Sequence, residues 1–443
     1  MPSSRRVSFN TPNTNTTTFW QFGCWNDLNS VSSNKVLESI NKRLDEGDKP
    51  DFLVISGDNY YPDKIKEEAV KTKVIYPDNI RQGIVALPKD IPILMVLGNH
   101  DLETTQKKNM LVGTHFPVPP PSSYVSPRLE SSIRPEDYVT SRGLPLLPAP
   151  PPVSPVGPFK TPPPPTAQRS ENKKCEIIQL QLKAIEERPN IDYFLFKKKK
   201  LNSNTLLLMI DTGMYETDKD ANKYLPCYNT FLGHKNKFDN INDLRSYQLD
   251  AIKRIINRDK DIQFLIIVGH HPIYQVKSKN DIVSFVSDIA EHFIPVLNEI
   301  DIILRKRDHV TKYYYLCSDL HLYQKGVLKI TNSKSKTPMK IHQYIVGTGG
   351  TQLDNPSPID VVKKHTTDIN DYTVNYELEE EKALHGFLKC TTTYPINPRF
   401  KFVSIITKPV SISGGINHKK RKTKRYKKKS KNATMKLKYK MKY

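Results

Sequence analysis

Short apolar segments that end in glycine-led polar loops are the feature of this sequence that most restricts its fold. Segments such as Asp51–Ser56, Ile91–Leu97 and Ile262–Val268 are mostly apolar and short enough to be buried strands. Amphipathic stretches near Ser32–Asp45 and Asn242–Arg258 have the residue spacing of helices. Strands that alternate with helices predict an α/β layered domain. The other predicted elements are strands at Thr18–Cys24, Thr205–Ile210, Lys312–Cys317, Ile341–Val346, Phe387–Thr391 and Lys401–Thr407, and a helix near Asp281–Glu299.

Two stretches depart from this pattern in composition. Seventeen of the 34 prolines fall between Pro117 and Pro165, so residues 117–170 are predicted to form an extended Pro-rich insert. Fourteen of the 68 Lys and Arg residues lie in Lys419–Tyr443, a stretch that has no Asp or Glu. We therefore predict a domain at 18–416 that is interrupted by the insert, with disordered segments at 1–17 and 417–443.

Several classes of protein are excluded by composition. No apolar run approaches the roughly 20 residues that a membrane-spanning helix needs, and Met1–Thr18 lacks the apolar core of a signal peptide. The cysteines are odd in number and form no C-x-x-C pair, which suits a reducing compartment better than a disulfide framework. We therefore expect an intracellular protein, cytoplasmic or nuclear. The cysteines are Cys24, Cys175, Cys227, Cys317 and Cys390.

Potential metal ligands follow five of the predicted strands, at the positions where open α/β sheets build their sites. Each loop alone has an ordinary explanation, such as a turn, a helix cap or a core histidine. Five such loops, each directly behind a strand, are much harder to explain as turns and indicate a metal site. The loops are Gly23-Cys24-Trp25-Asn26-Asp27, Gly57-Asp58-Asn59-Tyr60-Tyr61, Gly98-Asn99-His100-Asp101, Gly269-His270-His271-Pro272 and Ser318-Asp319-Leu320-His321.

In this order the loops resemble the calcineurin-like metallophosphoesterase superfamily, and most closely its purple acid phosphatase branch of the tartrate-resistant type. The resemblance covers roughly Phe19–Val112 and Ile191–Thr407, and the loop Gly347–Thr351 resembles the small-residue loop after the last His motif of that branch. It implies a four-layer αββα sandwich of two mixed β-sheets flanked by helices. It also implies two metal ions held at the strand ends.

The resemblance implies a role for each residue of the central loops. Asp58 matches the carboxylate that bridges the two metals, and Asn99 and His270 match ligands of the divalent ion. His100 matches the group that stabilises the phosphoryl charge or protonates the leaving group. His271 matches a substrate-contacting position, and a solvent-facing loop residue is the alternative reading.

Tyr61 is the residue that indicates the purple branch. Most of the superfamily has an Asp-x-His pair on the first loop, and the purple phosphatases replace that His by a phenolate from the second loop. Here the first loop has no His, and Tyr61 stands three residues after Asp58. A phenolate favours Fe(III), and His321 would complete the ligands of that ion. The expected cofactors are therefore Fe(III) and a divalent Fe, Zn or Mn ion.

Two positions depart from the family pattern. Asp319 stands where a His ligand of the divalent ion is usual, and a carboxylate also binds Zn, Fe(II) or Mn. Cys24 stands where an Asp ligand of the ferric ion is usual, and a thiolate is softer and more easily oxidised. Asp27 is three residues further on and is a second candidate ligand. Alternatively, Cys24 is a buried apolar residue and the first metal is weakly bound or absent.

These observations predict a phosphoesterase that hydrolyses phosphomonoesters through a metal-bridging hydroxide. One alternative is a phosphodiesterase or nuclease, and another is a catalytically impaired binding protein in which Cys24 and Asp319 replace lost ligands. A cysteine phosphatase is excluded because the positions that need an Arg, six after Cys24 and Cys317, hold Ser30 and Tyr323.

The lysine-rich segments suggest further partners. The tail Lys419–Tyr443 is predicted to bind nucleic acid or an acidic surface, or to act only as a solubilising tail. The run Lys197–Lys200 is predicted to form the tip of a hairpin between two strands. The insert at 117–170 follows the His100 loop and is predicted to lie near the mouth of the site.

Overall fold

The described strands and helices lie between Thr16 and Ser404. The Pro-rich insert at 117–170, the basic tail and residues 1–15 lie outside the described residues, so the expectations for them remain predictions. The computed structural model describes residues 16–27, 31–67, 70–103, 110–112, 175–232, 237–279, 282–307, 309–335, 337–358 and 364–405.

Within these ranges the chain forms nineteen strands and six α-helices. The helices are α1 (Val31–Asp45), α2 (Pro77–Ala86), α3 (Glu176–Glu186), α4 (Asp218–Leu232), α5 (Ile241–Arg258) and α6 (Ala290–Arg305). The first strands are β1 (Thr16–Phe22), β2 (Phe52–Ser56), β3 (Asp63–Glu67), β4 (Val70–Ile75), β5 (Ile93–Val96), β6 (Met110–Val112), β7 (Ile191–Tyr193), β8 (Phe196–Lys200), β9 (Thr205–Ile210) and β10 (Phe264–Val268). The remaining strands are β11 (Gln275–Lys279), β12 (Ile282–Val286), β13 (Lys312–Cys317), β14 (Tyr323–Asn332), β15 (Met339–Val346), β16 (Lys364–Ile369), β17 (Tyr372–Lys382), β18 (Gly386–Thr393) and β19 (Ile396–Ser404).

Two large mixed sheets make up the body of the domain. The six-stranded sheet has the order β19-β18-β1-β2-β5-β7, and its strands β1, β2, β5 and β7 are parallel. The eight-stranded sheet has the order β16-β17-β14-β15-β13-β10-β9-β8, with β9, β10, β13 and β15 parallel. Parallel neighbours bring the carboxyl ends of these strands to the same edge, which is where the predicted loops begin.

The alternation of side chains along the strands produces three hydrophobic layers. Phe19 and Val54 of one sheet and Ile266 of the other pack in the layer between the sheets. Trp20, the next residue along β1, faces the opposite way and packs under α1 with Ile40. The outer face of the eight-stranded sheet is covered by α4, α5 and α6. The predicted four-layer αββα sandwich is therefore confirmed.

Some predicted elements are confirmed in place and others are wrong. The strands Thr205–Ile210 and Lys312–Cys317 have the predicted bounds. The helix expected near Asp281–Glu299 begins only at Ala290, where the Ser287 hydroxyl accepts a hydrogen bond from the Ala290 backbone N–H. The residues before it form the hairpin of β11 and β12, because the β-branched and aromatic residues of β12 pair with β11 across the strands. The predicted tip Lys197–Lys200 is part of strand β8 and pairs antiparallel with β9.

The expectation that the cysteines are free is wrong for one pair. Cys175 and Cys227 are joined by a disulfide between the start of α3 and the interior of α4. Their sequence separation of 52 residues gives no local signal for the pairing. Cys24, Cys317 and Cys390 are free and buried. No helix among the described residues combines the length and the apolar content that a bilayer crossing requires.

Candidate metal centre

Loops from both sheets meet at the carboxyl ends of the parallel strands. The loop after β1 is held against the loop after β2, because the Cys24 N–H donates to the Gly57 carbonyl at 3.1 Å. The loop after β13 joins the loop after β10 through the Ser318 N–H and the His270 carbonyl at 2.9 Å. All five predicted loops therefore lie around one centre.

The backbone of this centre adopts conformations that side chains other than glycine rarely take. Cys24, Asn26, Asp58 and Asp319 have φ angles between 53° and 57°, and only one further non-glycine residue of the described ranges has a positive φ. Each such residue costs on the order of 1 kcal/mol or more and persists only where the surroundings enforce it. Strained backbone of this kind concentrates at functional sites.

Asp58, Asn99 and His270 form the inner part of the site. His270 Nε2 lies 3.3 Å from Asp58 Oδ1 and 3.2 Å from Asn99 Oδ1. The side chains of Asp58 and His270 are almost completely buried. Asp319 Oδ1 lies 3.9 Å from the same His270 nitrogen. Three oxygen atoms that could bind a metal, from three different loops, therefore lie near one imidazole nitrogen.

The ring of His270 is oriented by its other nitrogen. Nδ1 lies 2.8 Å from the Ser56 carbonyl oxygen, which can only accept, so Nδ1 carries the proton and Nε2 faces the carboxylates. Gly57 makes this packing possible, because a Cβ at position 57 would lie 2.5 Å from His270 Nδ1. The φ angle of Gly57 is +90°, a value that residues with a Cβ rarely adopt. His270 thus has the usual geometry of a metal-binding imidazole, in which one nitrogen donates a hydrogen bond to a carbonyl.

Electrostatics show that this part of the site attracts positive charge. Burial lowers the pKa of His270, but the carboxylates of Asp58 and Asp319 outweigh burial and raise that pKa to about 10. For Asp58 the two effects have the opposite signs. Burial raises the pKa of its carboxyl group, but the imidazoles of His270 and His100 outweigh burial and hold that pKa well below its usual range. The charges that retain a proton on His270 Nε2 would also bind a divalent cation in place of that proton.

Tyr61 and Cys24 lie beside the second oxygen of Asp58, and His321 lies next to Tyr61. The Tyr61 hydroxyl donates to Asp58 Oδ2 at 2.7 Å, and it lies 3.2 Å from His321 Nε2. Cys24 Sγ is 4.0 Å from the same Asp58 oxygen. Burial and the charge of Asp58 raise the pKa of the Cys24 thiol and of the Tyr61 phenol, so without a cation both groups stay protonated.

His100 lies at the edge of this group. Its backbone N–H donates to Asp58 Oδ1 at 3.1 Å, and its ring packs against that of Tyr61 with 4.6 Å between the centroids. Its Nδ1 lies 3.0 Å from Glu103 Oε1. The imidazole predicted to act on the phosphoryl group is therefore next to the ligand set and is oriented by a carboxylate.

His271 lies beside His270 and Asp319, and its side chain also contacts residues that follow β9. Its side chain is only 2% exposed, with Nδ1 at 3.2 Å from Thr212 Oγ1 and Nε2 at 2.9 Å from Glu216 Oε1. Thr212 also accepts the backbone N–H groups of His270 and His271. The solvent-facing alternative for His271 is wrong, because this histidine is buried behind His270. Its contact with substrate remains a prediction.

Sequence reasoning missed several residues that support the site. Asp101 accepts from the backbone N–H of Asn59 at 2.9 Å and from that of Gly98 at 2.9 Å, which joins the second and third loops. Thr212 and Glu216 follow β9, so they occupy the same position after a buried strand as the loops that were recognised. Their position directly after a buried strand could have identified them, but this loop has no His and was therefore not considered.

The donors form groups that could hold metal ions. Cys24, Asp58 and His270 have ligand atoms within 4.8 Å of one another, and so do His270, His271 and Asp319. Asp58, Asn99, His270 and Asp319 could hold one ion, whereas Asp58, Tyr61, His321 and Cys24 could hold a second. Asp27 is not among the ligand groups that the described residues form. The identity of the ions does not follow from these donors, since carboxylate, imidazole, phenol and thiol accept several metals.

Comparison with known proteins gives the following results. Two similar solved structures are GAP50, described as the anchor in the inner membrane complex of Plasmodium, and PhoD. GAP50 is 14% identical, with a TM-score of 0.38 and coverage of 88% of this chain and 84% of that one. PhoD is 10% identical, with a TM-score of 0.41 and coverage of 88% and 70%. No curated protein sequence matches.

The sequence profile of the calcineurin-like phosphoesterase family matches residues 17–157. This range contains the loops of Cys24, Asp58 and Asn99, which supply one side of the metal centre. The match supports a metal-dependent phosphoesterase in general. The match agrees with the predicted resemblance to the calcineurin-like phosphoesterase superfamily over this part of the chain.

Proposed function

We propose that the protein is a dinuclear, purple acid phosphatase-like enzyme that hydrolyses phosphomonoesters. The observation that carries this proposal is the position of the Asp58 carboxylate. One oxygen faces His270 Nε2 at 3.3 Å, and the other accepts from Tyr61 at 2.7 Å. A carboxylate whose two oxygens face two separate donor sets is suited to bridge two cations.

The donors around each oxygen differ in chemistry. Asn99, His270 and Asp319 offer neutral and carboxylate ligands that suit a divalent Fe, Zn or Mn ion. Tyr61 offers a phenolate, which suits Fe(III), with His321 and Cys24 beside it. Two cations bound there would neutralise phosphate oxygens and lower the pKa of a water molecule towards neutrality.

The residues of the chain supply orientation and proton transfer. His100 is held by its backbone N–H on Asp58, by its ring on Tyr61 and by Glu103 at Nδ1. A positioned imidazole at the edge of the ligand set is suited to donate a proton to the leaving alkoxide. Thr212 and Glu216 orient His271, which packs edge-on against His270 with 4.7 Å between ring centroids.

The phosphomonoesterase is preferred to a diesterase because of Tyr61. The Asp-x-His pair of most of the superfamily is missing from the first loop, and the Tyr61 phenol lies beside Asp58. A second reading, an impaired phosphoesterase fold that only binds ligands, is favoured by the buried and protonated Cys24 thiol. The two readings differ in metal content and in turnover.

Metal analysis combined with paired assays tests the proposal. The purified protein is expected to contain two metal ions and to hydrolyse an aryl phosphate monoester at least tenfold faster than the corresponding bis-ester. Asp58→Asn should remove both metal and activity, whereas the exposed carboxylate variant Asp90→Asn should keep both. A protein with two metals that prefers the bis-ester would contradict the monoesterase. A protein without metal that hydrolyses neither ester would establish the impaired reading.

A further inference from the structure

A second candidate site lies at the opposite end of the eight-stranded sheet. A cavity of about 900 Å³ opens where β13 and β15 begin. Strands rise about 3.3 Å per residue, so Lys312 at the start of β13 lies on the order of 20 Å from Asp319 beyond its end. The cavity is therefore separate from the metal centre. Its wall includes Arg307, Thr311, Lys312, Lys340, His342 and Asn397.

Lysines stand side by side across three neighbouring strands at this end of the sheet. Lys340 of β15 is directly opposite Lys329 of β14. Tyr313 pairs with Ile341, so Lys312 and Lys340 are neighbours at the start of two parallel strands. All three lysines are exposed. Like charges directly opposite each other destabilise a sheet, so this row costs stability unless an anion neutralises it.

The acidic residues of the cavity wall do not neutralise this row. Asp301 is paired with Arg305 at 2.6 Å, and Glu379 is paired with Lys325 at 2.7 Å. Neither Lys312 nor Lys340 has an ion-pair partner within the described ranges. The Lys312 amino group donates to the neutral Asn397 Oδ1 at 3.1 Å.

A third cation adds to the excess of positive charge. Arg307 donates to the carbonyls of Ile256 and Lys260, and it makes no ion pair with a described carboxylate. Within the described residues, the cavity therefore has three cations, Arg307, Lys312 and Lys340, that form no ion pair with a carboxylate.

The cluster Lys197–Lys200 provides a contrast. Lys198 and Lys200 both lie within ion-pair distance of Asp259, and Lys197 is paired with Asp192. The Lys199 amino group lies 4.9 Å from the centre of the Phe52 ring. The charges of this edge strand are thus used within the protein, whereas those of the cavity are not.

We propose that the cavity binds a compact anion that carries several phosphate groups. Lysine is a point-charge donor suited to phosphate, and several unbalanced cations favour a ligand with several negative charges over a single phosphate. The volume lies within the range of small-molecule sites. Thr311 and Asn397 add neutral hydrogen-bonding groups. Inorganic polyphosphates and nucleoside triphosphates share this chemistry, and the proposal is independent of the function proposed for the metal centre.

Calorimetric titration of the whole protein with inorganic tripolyphosphate tests this site. The double variant Lys312→Gln/Lys340→Gln is expected to bind tripolyphosphate at least tenfold more weakly than the wild type. Its affinity should also fall less steeply as the salt concentration rises. The exposed-lysine variant Lys89→Gln should bind like the wild type. Unchanged ester hydrolysis by the double variant would show that it is folded. A parallel titration with ATP separates the sources: equal affinity indicates recognition of phosphates alone, and tighter binding indicates contacts to the nucleoside.

Two results would overturn the site. Tripolyphosphate that binds the lysine double variant as tightly as the wild type does not use this cavity. Binding that is lost in Asp58→Asn but kept in the double variant would place the anion at the metal centre instead. The absence of any binding to the wild type at millimolar tripolyphosphate would reject the cavity as well.

Discussion

The phenol of Tyr61 donates a 2.7 Å hydrogen bond to Asp58, three residues before it on the same loop. The same hydroxyl lies 3.2 Å from His321 Nε2, a residue 260 positions further along the chain. A short local contact and a very long-range one thus meet on one oxygen atom. A cation that replaced the phenolic proton would have possible ligand atoms from all three residues near it.

Tyr61→Phe tests this arrangement directly. Loss of the phenolate is expected to remove the visible absorption of the iron-loaded protein and to weaken binding of one of the two metals. The absorption spectrum and the metal content are the measurements. Tyr60→Phe is the matched control, because it removes a neighbouring phenol whose hydroxyl accepts the Tyr76 backbone N–H. If the visible absorption survives in Tyr61→Phe and is lost in Tyr60→Phe, the assignment of Tyr61 as the metal ligand is wrong.

Cys24→Asp is expected to strengthen binding of the metal beside Tyr61. The Cys24 thiol lies 4.0 Å from Asp58 Oδ2, and its raised pKa makes it a poor anionic donor before metal binds. A carboxylate is ionised at neutral pH and is harder, which favours Fe(III). Metal content after limited dialysis against a chelator is the measurement, and Cys24→Ser is the control that adds no charge. Equal retention of metal by Cys24→Asp and the wild type would place residue 24 outside the coordination shell.

His100→Ala is expected to lower kcat about 10²–10⁴-fold, the usual range for a positioned acid or base, while both metals stay bound. Glu103→Gln should cost less, about tenfold, and should alter the pH dependence of kcat, because Glu103 lies 3.0 Å from His100 Nδ1 and only orients the ring. Steady-state kinetics with metal analysis measure both effects. Full activity in His100→Ala would exclude this residue from the mechanism.

Asp211 is expected to make stability depend on pH. Burial raises its pKa to about 6 from an ordinary value of 3.8, although Tyr228 and the Gly213 N–H donate to its carboxylate. Because the folded pKa is above the unfolded one, this contribution to stability is complete below about pH 3.8 and is lost as pH rises through about 6. Its size is at most about 3 kcal/mol.

Asp211→Asn keeps an oxygen that accepts both hydrogen bonds and removes the charge. Between pH 4 and 7, the free energy of unfolding of the wild type should therefore fall relative to that of Asp211→Asn. Urea denaturation of the two proteins across this range measures the difference. Parallel pH curves for the two proteins would show that Asp211 does not titrate in the folded state.

Local signals were sufficient for much of the framework. Thr205–Ile210 and Lys312–Cys317 are continuous apolar or aromatic runs, and such runs form buried strands with little regard to their neighbours. Glycines before Asp58 and Asn99 marked the turns at the strand ends. Parallel strands then bring these loops to one edge, so the predicted residues converge without further information.

Contacts between distant residues explain what the sequence analysis missed. The hairpin of β11 and β12 depends on cross-strand pairing, and periodicity alone read part of it as a helix. The disulfide joins Cys175 to Cys227 because α3 and α4 pack together, which no residue spacing indicates. Lys198 and Lys200 look like a free basic run until the fold places Asp259 beside them.

The sequence by itself determined the alternation of strands and helices and the order of the polar loops, because burial of apolar strands and the turns after them are local properties. Only the tertiary structure decided which side chains meet. It gave both oxygens of Asp58 separate partners, it buried His271 against Glu216, and it placed Lys340 opposite Lys329. These contacts depend on strand register and on the packing of the two sheets, and both are set by the whole chain.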